Sequence, residues 1–370
     1  MKRFYFCLAG LCLLLCLFCR CSAGGLDEAG KSIGEGEFSG GMSEFEMIKD
    51  SDGPEESEEN DADPETEPEE PEPASFLSAV MNTETDVGFE FSGPVKIVSL
   101  FFEPALNISS IEDGSFVKVY LEEAAGPGML IKAIILAEDE RENVISAEVS
   151  FRSRNKRPPK LLINELRTEY SRPNVEYIEF KIMSSGNLGA LRVFASGYFR
   201  SPMIYQFSPV EVMEGEYVVL HMRTLDGSCV DEYGERLDES GGAGSCPTAR
   251  DFWVPGSAKL LHKTTAVYVL DQDDNVLDAV MTSELQDSWW NRDYFAEAAA
   301  FLFNKGAWKS AAGEICGPRD AVNSAKINTA MTRSISRDES AEDTNTSADW
   351  YVTATGGATP GLANSPVRFQ

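Results

Sequence analysis

Ala266-Val267-Tyr268-Val269-Leu270 and Val276-Leu277-Asp278-Ala279-Val280 flank Asp271-Gln272-Asp273-Asp274-Asn275. Two short β-rich runs around five turn-forming residues read as an antiparallel hairpin, and that reading puts the chain in the all-β class. The same grammar runs through residues 75–155. Strands are expected at 76–80, 87–91, 95–102, 116–122, 129–137 and 144–151, with breaks such as Ser92-Gly93-Pro94 and Gly126-Pro127-Gly128. Phe116-Val117-Lys118-Val119-Tyr120-Leu121 and Val144-Ile145-Ser146-Ala147-Glu148-Val149 alternate apolar and polar, as strands with one buried face do. The spacing predicts a β-sandwich over 75–155. Residues 153–160 (SRNKRPPK) then read as a basic hinge and domain boundary, a solvated linker rather than a docking patch.

The chain has 370 residues, 42% apolar, which suffices for a real core. It carries 61 Asp+Glu against 32 Lys+Arg, a net charge of −29. That balance excludes a nucleic-acid partner, because phosphate contacts need a basic face. The acidity is concentrated: residues 24–74 hold 19 Asp+Glu and 2 Lys. This stretch ends in Pro64-Glu65-Thr66-Glu67-Pro68-Glu69-Glu70-Pro71-Glu72-Pro73 and reads as a disordered, extended tether.

Ahead of the tether, Met1-Lys2-Arg3, an apolar run and Ser22-Ala23 have the order of a secretory signal peptide over residues 1–23. Cys21, or alternatively Cys19, stands where a bacterial lipoprotein is acylated, although Arg20 and Phe18 precede them where a small residue is usual. Two motif matches lie in the tether, Gly25-Leu26-Asp27-Glu28-Ala29-Gly30-Lys31-Ser32 for a P-loop and Gly30-Lys31-Ser32-Ile33-Gly34 for a hydrolase elbow. Both motifs work only at a strand-to-helix turn, and no such context surrounds them.

Beyond the hinge, ordered pieces recur. Leu161-Leu162-Ile163-Asn164-Glu165-Leu166 comes first, then Val175-Glu176-Tyr177-Ile178-Glu179-Phe180 and the turn Leu188-Gly189-Ala190. Gly215-Glu216-Tyr217-Val218-Val219-Leu220 precedes the hairpin, and Trp350 with Thr359-Pro360-Gly361-Leu362-Ala363-Asn364 closes the series. In this order, over residues 160–366, the pieces resemble the bacterial lamin-tail domain. Residues 75–155, with the acidic turn Asp139-Glu140-Arg141-Glu142-Asn143, resemble a bacterial immunoglobulin-like module. The resemblance implies two tandem immunoglobulin-like sandwiches and a binding or accessory role on exported proteins. Three features depart from it. Ala190-Leu191 replaces a usual Trp, the turn at Asp274 lacks its usual Gly, and insertions occupy 225–259 and 283–327.

In the first insertion, Cys229 and Cys246 bracket a Gly- and Ser-rich acidic loop, and a disulfide between them is expected to shorten it, contributing about 3 kcal/mol. Cys316 is left over. In the second, Trp289, Trp290, Tyr294, Phe295 and Trp308 cluster around an Ala-rich segment, 293–304, that predicts a helix ended by Gly306. This helix is read either as a cap on an open sheet edge or as an aromatic platform for a glycan or protein partner. Two His without ligand spacing make no metal site, and Asp271–Asn275 is a turn before it is a calcium loop, although its oxygens leave calcium open. Glu165, Glu176 and Glu179 match paired catalytic carboxylates but are explained by strand architecture.

The resulting expectation is a non-enzymatic surface or envelope binding module, without cofactor, tied to a membrane by an N-terminal lipid. The alternatives are an envelope structural protein without a discrete ligand and a secreted hydrolase.

Overall fold

The computed structural model describes residues 72–196, 203–329 and 331–370. The expected signal peptide, nearly all of the tether, Cys19, Cys21 and both motif matches lie outside the described residues. Residues 69–370 form one compact unit, and among its described residues the structure is β with a single α-helix.

The first half of this unit holds β1 (Phe76–Met81), β2 (Asp86–Glu103), β3 (Ile108–Glu112), β4 (Gly114–Leu121), β5 (Leu130–Asp139) and β6 (Val144–Arg152). The expected break at Ser92-Gly93-Pro94 does not end a strand. It bends one: the first part of β2 pairs with β1 and β4, and the part after Val95 pairs with β5. The rings of Phe89 and Phe102 lie 6.5 Å apart. Thirteen residues of straight strand would separate them by about 43 Å. The strand therefore folds the sheet over on itself, and Val87, Phe89 and Phe91 face Ile131, Ala133 and Ile135 in one core. β3 went unread in the sequence because ISSIE carries no β-rich run, and its side chains are mostly exposed.

The second half holds β7 (Leu161–Arg167), β8 (Tyr177–Ile182), β9 (Gly186–Asn187), β10 (Arg192–Ser196), β11 (Met203–Gln206), β12 (Glu211–Val212), β13 (Tyr217–His221), β14 (Arg250–Trp253), β15 (Thr265–Leu270) and β16 (Val276–Ser283). It continues with α1 (Asp293–Asn304), β17 (Val322–Asn323), β18 (Ile335–Arg337) and β19 (Trp350–Val352). Two sheets, ordered β11-β10-β15-β16-β17 and β14-β13-β8-β7-β18-β19, pack around a second core that includes Ile163, Phe180, Val193, Leu220 and Val267.

The hairpin forms as read, with β15 antiparallel to β16. Every residue of β15 is buried. The sandwich covers one face of it and α1 lies over the other, where Phe194 stacks on Tyr268 and Phe301 tilts against Tyr268. The helix thus covers the middle of a sheet face rather than its edge. It buries Phe295, Ala298, Ala299 and Leu302, the spacing of one helical stripe. Gly306 at φ +70° ends it, with its N–H on Phe303 O and the next N–H on Leu302 O, a Schellman closure.

The acidic turns of both halves share one construction. Asp139 Oδ1 accepts the N–H groups of Arg141 and Asn143, and Asp271 Oδ1 accepts those of Asp273 and Asn275. Glu142 and Asp274 stand at φ +65° and +58°, which is why Gly suits this position in related turns. Asp273 and Asp274 pair with Arg154 and Arg192, so the loop's charge is met by guanidinium groups.

The stretch 153–160 is not a solvated hinge. Ser153 and Pro159 are buried, Asn155 Nδ2 donates to Asn187 O and Gly189 O, and Gln272 Nε2 donates to Ser153 O. A Cβ at Gly128 (φ +65°) would lie 2.2 Å from the carbonyl carbon of Gly189. The two halves meet backbone to backbone, and Gly128→Ala is expected to cost about 1–3 kcal/mol through that clash. Chemical denaturation of the full chain checks this; a midpoint equal to that of the parent would show that the two backbones do not press together.

Candidate functional site

The carboxylates that resemble a catalytic pair are the fastening of the C-terminal segment. Glu165 on β7 stands opposite Glu179 on β8, and a bulge at Asn164 interrupts the register there. All three side chains are buried. Glu165 accepts hydrogen bonds from Tyr177 Oη (2.5 Å), Ser334 Oγ (2.5 Å), Ser336 Oγ (3.1 Å) and the N–H of Thr359 (3.1 Å). Glu179 accepts from Asn164 Nδ2 (2.8 Å) and the N–H of Gly361 (2.5 Å). Asn364 Nδ2 completes the lock on Asn164 O and Arg337 O. The three sequence pieces that bear Asn164-Glu165, Glu179 and Thr359–Asn364 meet in one polar cluster.

Burial pushes both carboxyl groups above the ordinary glutamate range, and the charge of Glu165 raises Glu179 further. Glu165 has the larger set of donors and keeps the charge, so Glu179 is the partner that takes the proton. Burial also lifts Asp278 to about 6, against the pull of Arg337 at 2.7 Å. Glu176 is held apart from this pair by a two-point contact with Arg223, at 2.8 and 2.5 Å.

The first insertion is ordered by its own acids. Glu232, fully buried, accepts the N–H groups of Glu239, Ser240 and Asp251, and Asp231 accepts that of Trp253. Its last residues form β14, parallel to β13. The expected Cys229–Cys246 disulfide is not made, and both are free thiols. They face different neighbours. Cys246 Sγ contacts Thr248 Oγ1 at 2.9 Å and abuts Gly361, whereas Cys229 Sγ lies by Asp226 and Gly242. Backbone N–H bonds to buried carboxylates do the tightening that the crosslink was expected to do. Cys316 is buried, and desolvation pushes its thiol up to about 12, which makes it inert. His221 is occupied by Asp251 at 2.8 Å and stacks on Trp253.

The second insertion divides the expected aromatic platform. Trp308 and Phe295 are core residues at 1% and 4% exposure. Trp290 is half-buried, with its Nε1 donating to Cys316 O. Trp289 alone stands open, at 78% exposure. Tyr294, half-buried against Phe295, lines an open cleft of about 560 Å³. Its other walls come from Glu169, His262, Glu284, Asn291 and Arg292. Lys259 pairs with Glu169 at 2.8 Å, and Lys263 with Glu284 at 3.6 Å. Burial, together with the charge of Lys259, holds His262 below the usual imidazole range. A volume between roughly 300 and 1,000 Å³ is that of a small-ligand site. Thr264 and Asn291 also line a smaller recess that reaches Trp289, so the cleft and the open indole share one surface. Reading the sequence missed Glu169, His262 and Glu284 as wall residues because they come from separate loops. The available signal was the polar Asn291-Arg292 pair placed just before the helix.

Fold and surface together define an all-β protein of two cores with a helical insertion beside an open polar cleft. Residues 159–352, 194 of the 370, match the family model described as "protein second domain", and the chain belongs to that family. An uncharacterized protein of Treponema pallidum (strain Nichols) is 35% identical over 111 residues, 29% of this chain and 28% of that protein, so the chain spans less than a third of this curated relative. Among solved structures, a DUF4876 family protein from Bacteroides thetaiotaomicron VPI-5482 aligns over 75% of this chain and 94% of its own, at 14% identity and a TM-score of 0.26.

The buried acids set a pH dependence. Groups raised in the folded state stabilise it fully below their unfolded values, near 4, and lose that contribution as pH rises through their folded values. Stability is therefore expected to fall between pH 5 and 7.5, with Asp278 alone contributing on the order of 2 kcal/mol. Glu179→Gln should flatten the profile, and Glu165→Gln should destabilise at every pH because hydroxyl donors lose their acceptor. Thermal melts of the three proteins across that range decide the matter. A parent profile that rises toward pH 7.5 would refute it.

Proposed function

We propose that the protein is a non-enzymatic binding module of the bacterial cell envelope, held on a membrane by a lipid at Cys21, or at Cys19, and spaced from it by the acidic tether. The observation that carries this reading is the cleft beside α1 together with Trp289 at its margin. An indole held in water without a covering partner is an unspent anchor, since tryptophan contributes heavily to binding energy at interfaces. The carboxylates that bear the closest likeness to a catalytic pair are engaged by the C-terminal segment, and those of the cleft are each paired with a lysine. That distribution supports recognition over hydrolysis. The second half is read as a lamin-tail-like sandwich, on the meeting of Asn164-Glu165, Glu179 and Thr359–Asn364.

Two measurements test the reading. Intact mass of the chain from its native membrane fraction is expected to show acylation at Cys21 or Cys19, and the double Cys19→Ser, Cys21→Ser variant should leave the membrane. Retention of that variant on the membrane would remove the lipid anchor. Full-length protein should co-sediment with isolated envelopes of the producing organism, and Trp289→Ala should weaken this by about tenfold. Equal sedimentation of both proteins would remove the aromatic margin as the contact surface.

A further inference from the structure

We infer that the cleft beside α1 is a saccharide site, built for a short, uncharged oligosaccharide with one sugar ring laid on Tyr294. The inference rests on the binding-module reading and gives it a ligand class.

The wall chemistry selects among ligands. Lys263 faces Glu284 and Lys259 faces Glu169, so the charges on the wall offset one another locally. A phosphate or polyanion finds no net positive field there. A lipid or other apolar ligand finds too little apolar surface, because Phe295 is almost wholly buried and the neighbouring wall residues carry amide, hydroxyl or charged groups. An extended peptide gains most by adding to an open strand edge. The strand nearest the cleft, β16, already has β15 on one side and β17 on the other.

A sugar fits what remains. Each of its hydroxyls both donates and accepts, and the cleft places donors and acceptors side by side: the Asn291 and Asn328 amides, the Arg292 guanidinium and the Glu284 carboxylate. Its C–H face is apolar and needs an aromatic ring, which Tyr294 supplies. Asn291 lines both the main cleft and the recess of Trp289. A chain of sugar units that starts on Tyr294 therefore passes Asn291 and reaches a second ring. That continuity gives the most exposed indole of the described surface the same ligand as the cleft.

Calorimetric titration of the full chain with maltotriose, cellotriose and tri-N-acetylchitotriose tests this. Saturable binding of at least one is expected, with a dissociation constant of roughly 10 µM to 1 mM, the weak range of a shallow, wet site. Asn291→Ala and Tyr294→Ala should each weaken it by about tenfold, and Tyr294→Phe, which keeps the ring, by much less. Asn291 is exposed, so its variant remains informative where Tyr294→Ala unfolds. Absence of saturable binding for all three sugars, or full affinity in Asn291→Ala and Tyr294→Phe together with full affinity in a folded Tyr294→Ala, would overturn the inference. Envelope sedimentation separates the two proposals. If the protein sediments through Trp289 but takes none of the sugars, the saccharide inference fails and the binding module stands with a protein partner. If it does neither, both fall.

Discussion

Two carboxyl groups buried side by side between neighbouring strands govern the second half of this protein. Glu165 and Glu179 face each other directly, a placement that would repel if both were charged in a medium of low dielectric. They are tolerated because hydroxyls and backbone N–H groups from distant parts of the chain converge on them. Ser334 and Ser336 bring β18 alongside β7, and Thr359 and Gly361 bring in the C-terminal turn. Gly361 is required twice, for φ +77° and because a Cβ there would lie 2.6 Å from Cys246 Sγ. The fastening thus also sets where the first insertion ends.

The same economy of backbone contact joins the two halves. Gly128 and Gly189 let the chains touch without side chains between them, and Ser153, Asn155 and Gln272 bind the connecting stretch to both sides. The connection is an ordered seam, which explains why residues 69–370 behave as one unit. A binding surface on one half is therefore carried by a body larger than one sandwich.

The cleft owes its existence to α1. By lying over β15 the helix makes that strand two-faced and apolar, and its N-terminal end stands clear of the sheet beside Glu169, His262 and Glu284. Phe295 and Trp308 were taken into the core to hold the helix down, and Trp289 and Tyr294 were left at the margin. The division follows the period of the helix: residues four apart share the buried stripe, and their neighbours face water.

The sequence by itself determined the local elements. Alternation of apolar and polar residues marked nearly every strand of the first half, Ala-rich composition marked α1 and Gly306 its end, because these signals act over a few residues. Acidic turns ending in Asn were legible for the same reason. Only the tertiary structure decided what depends on partners far away in the chain. Ser92-Gly93-Pro94 bends β2 instead of ending it, because the core behind it continues. The two cysteines of the first insertion stay apart, because buried acids order their loop. Glu165 and Glu179 became a fastening only where Thr359 and Gly361 reached them. The cleft is least legible of all, since its walls come from separate loops that local periodicity does not connect.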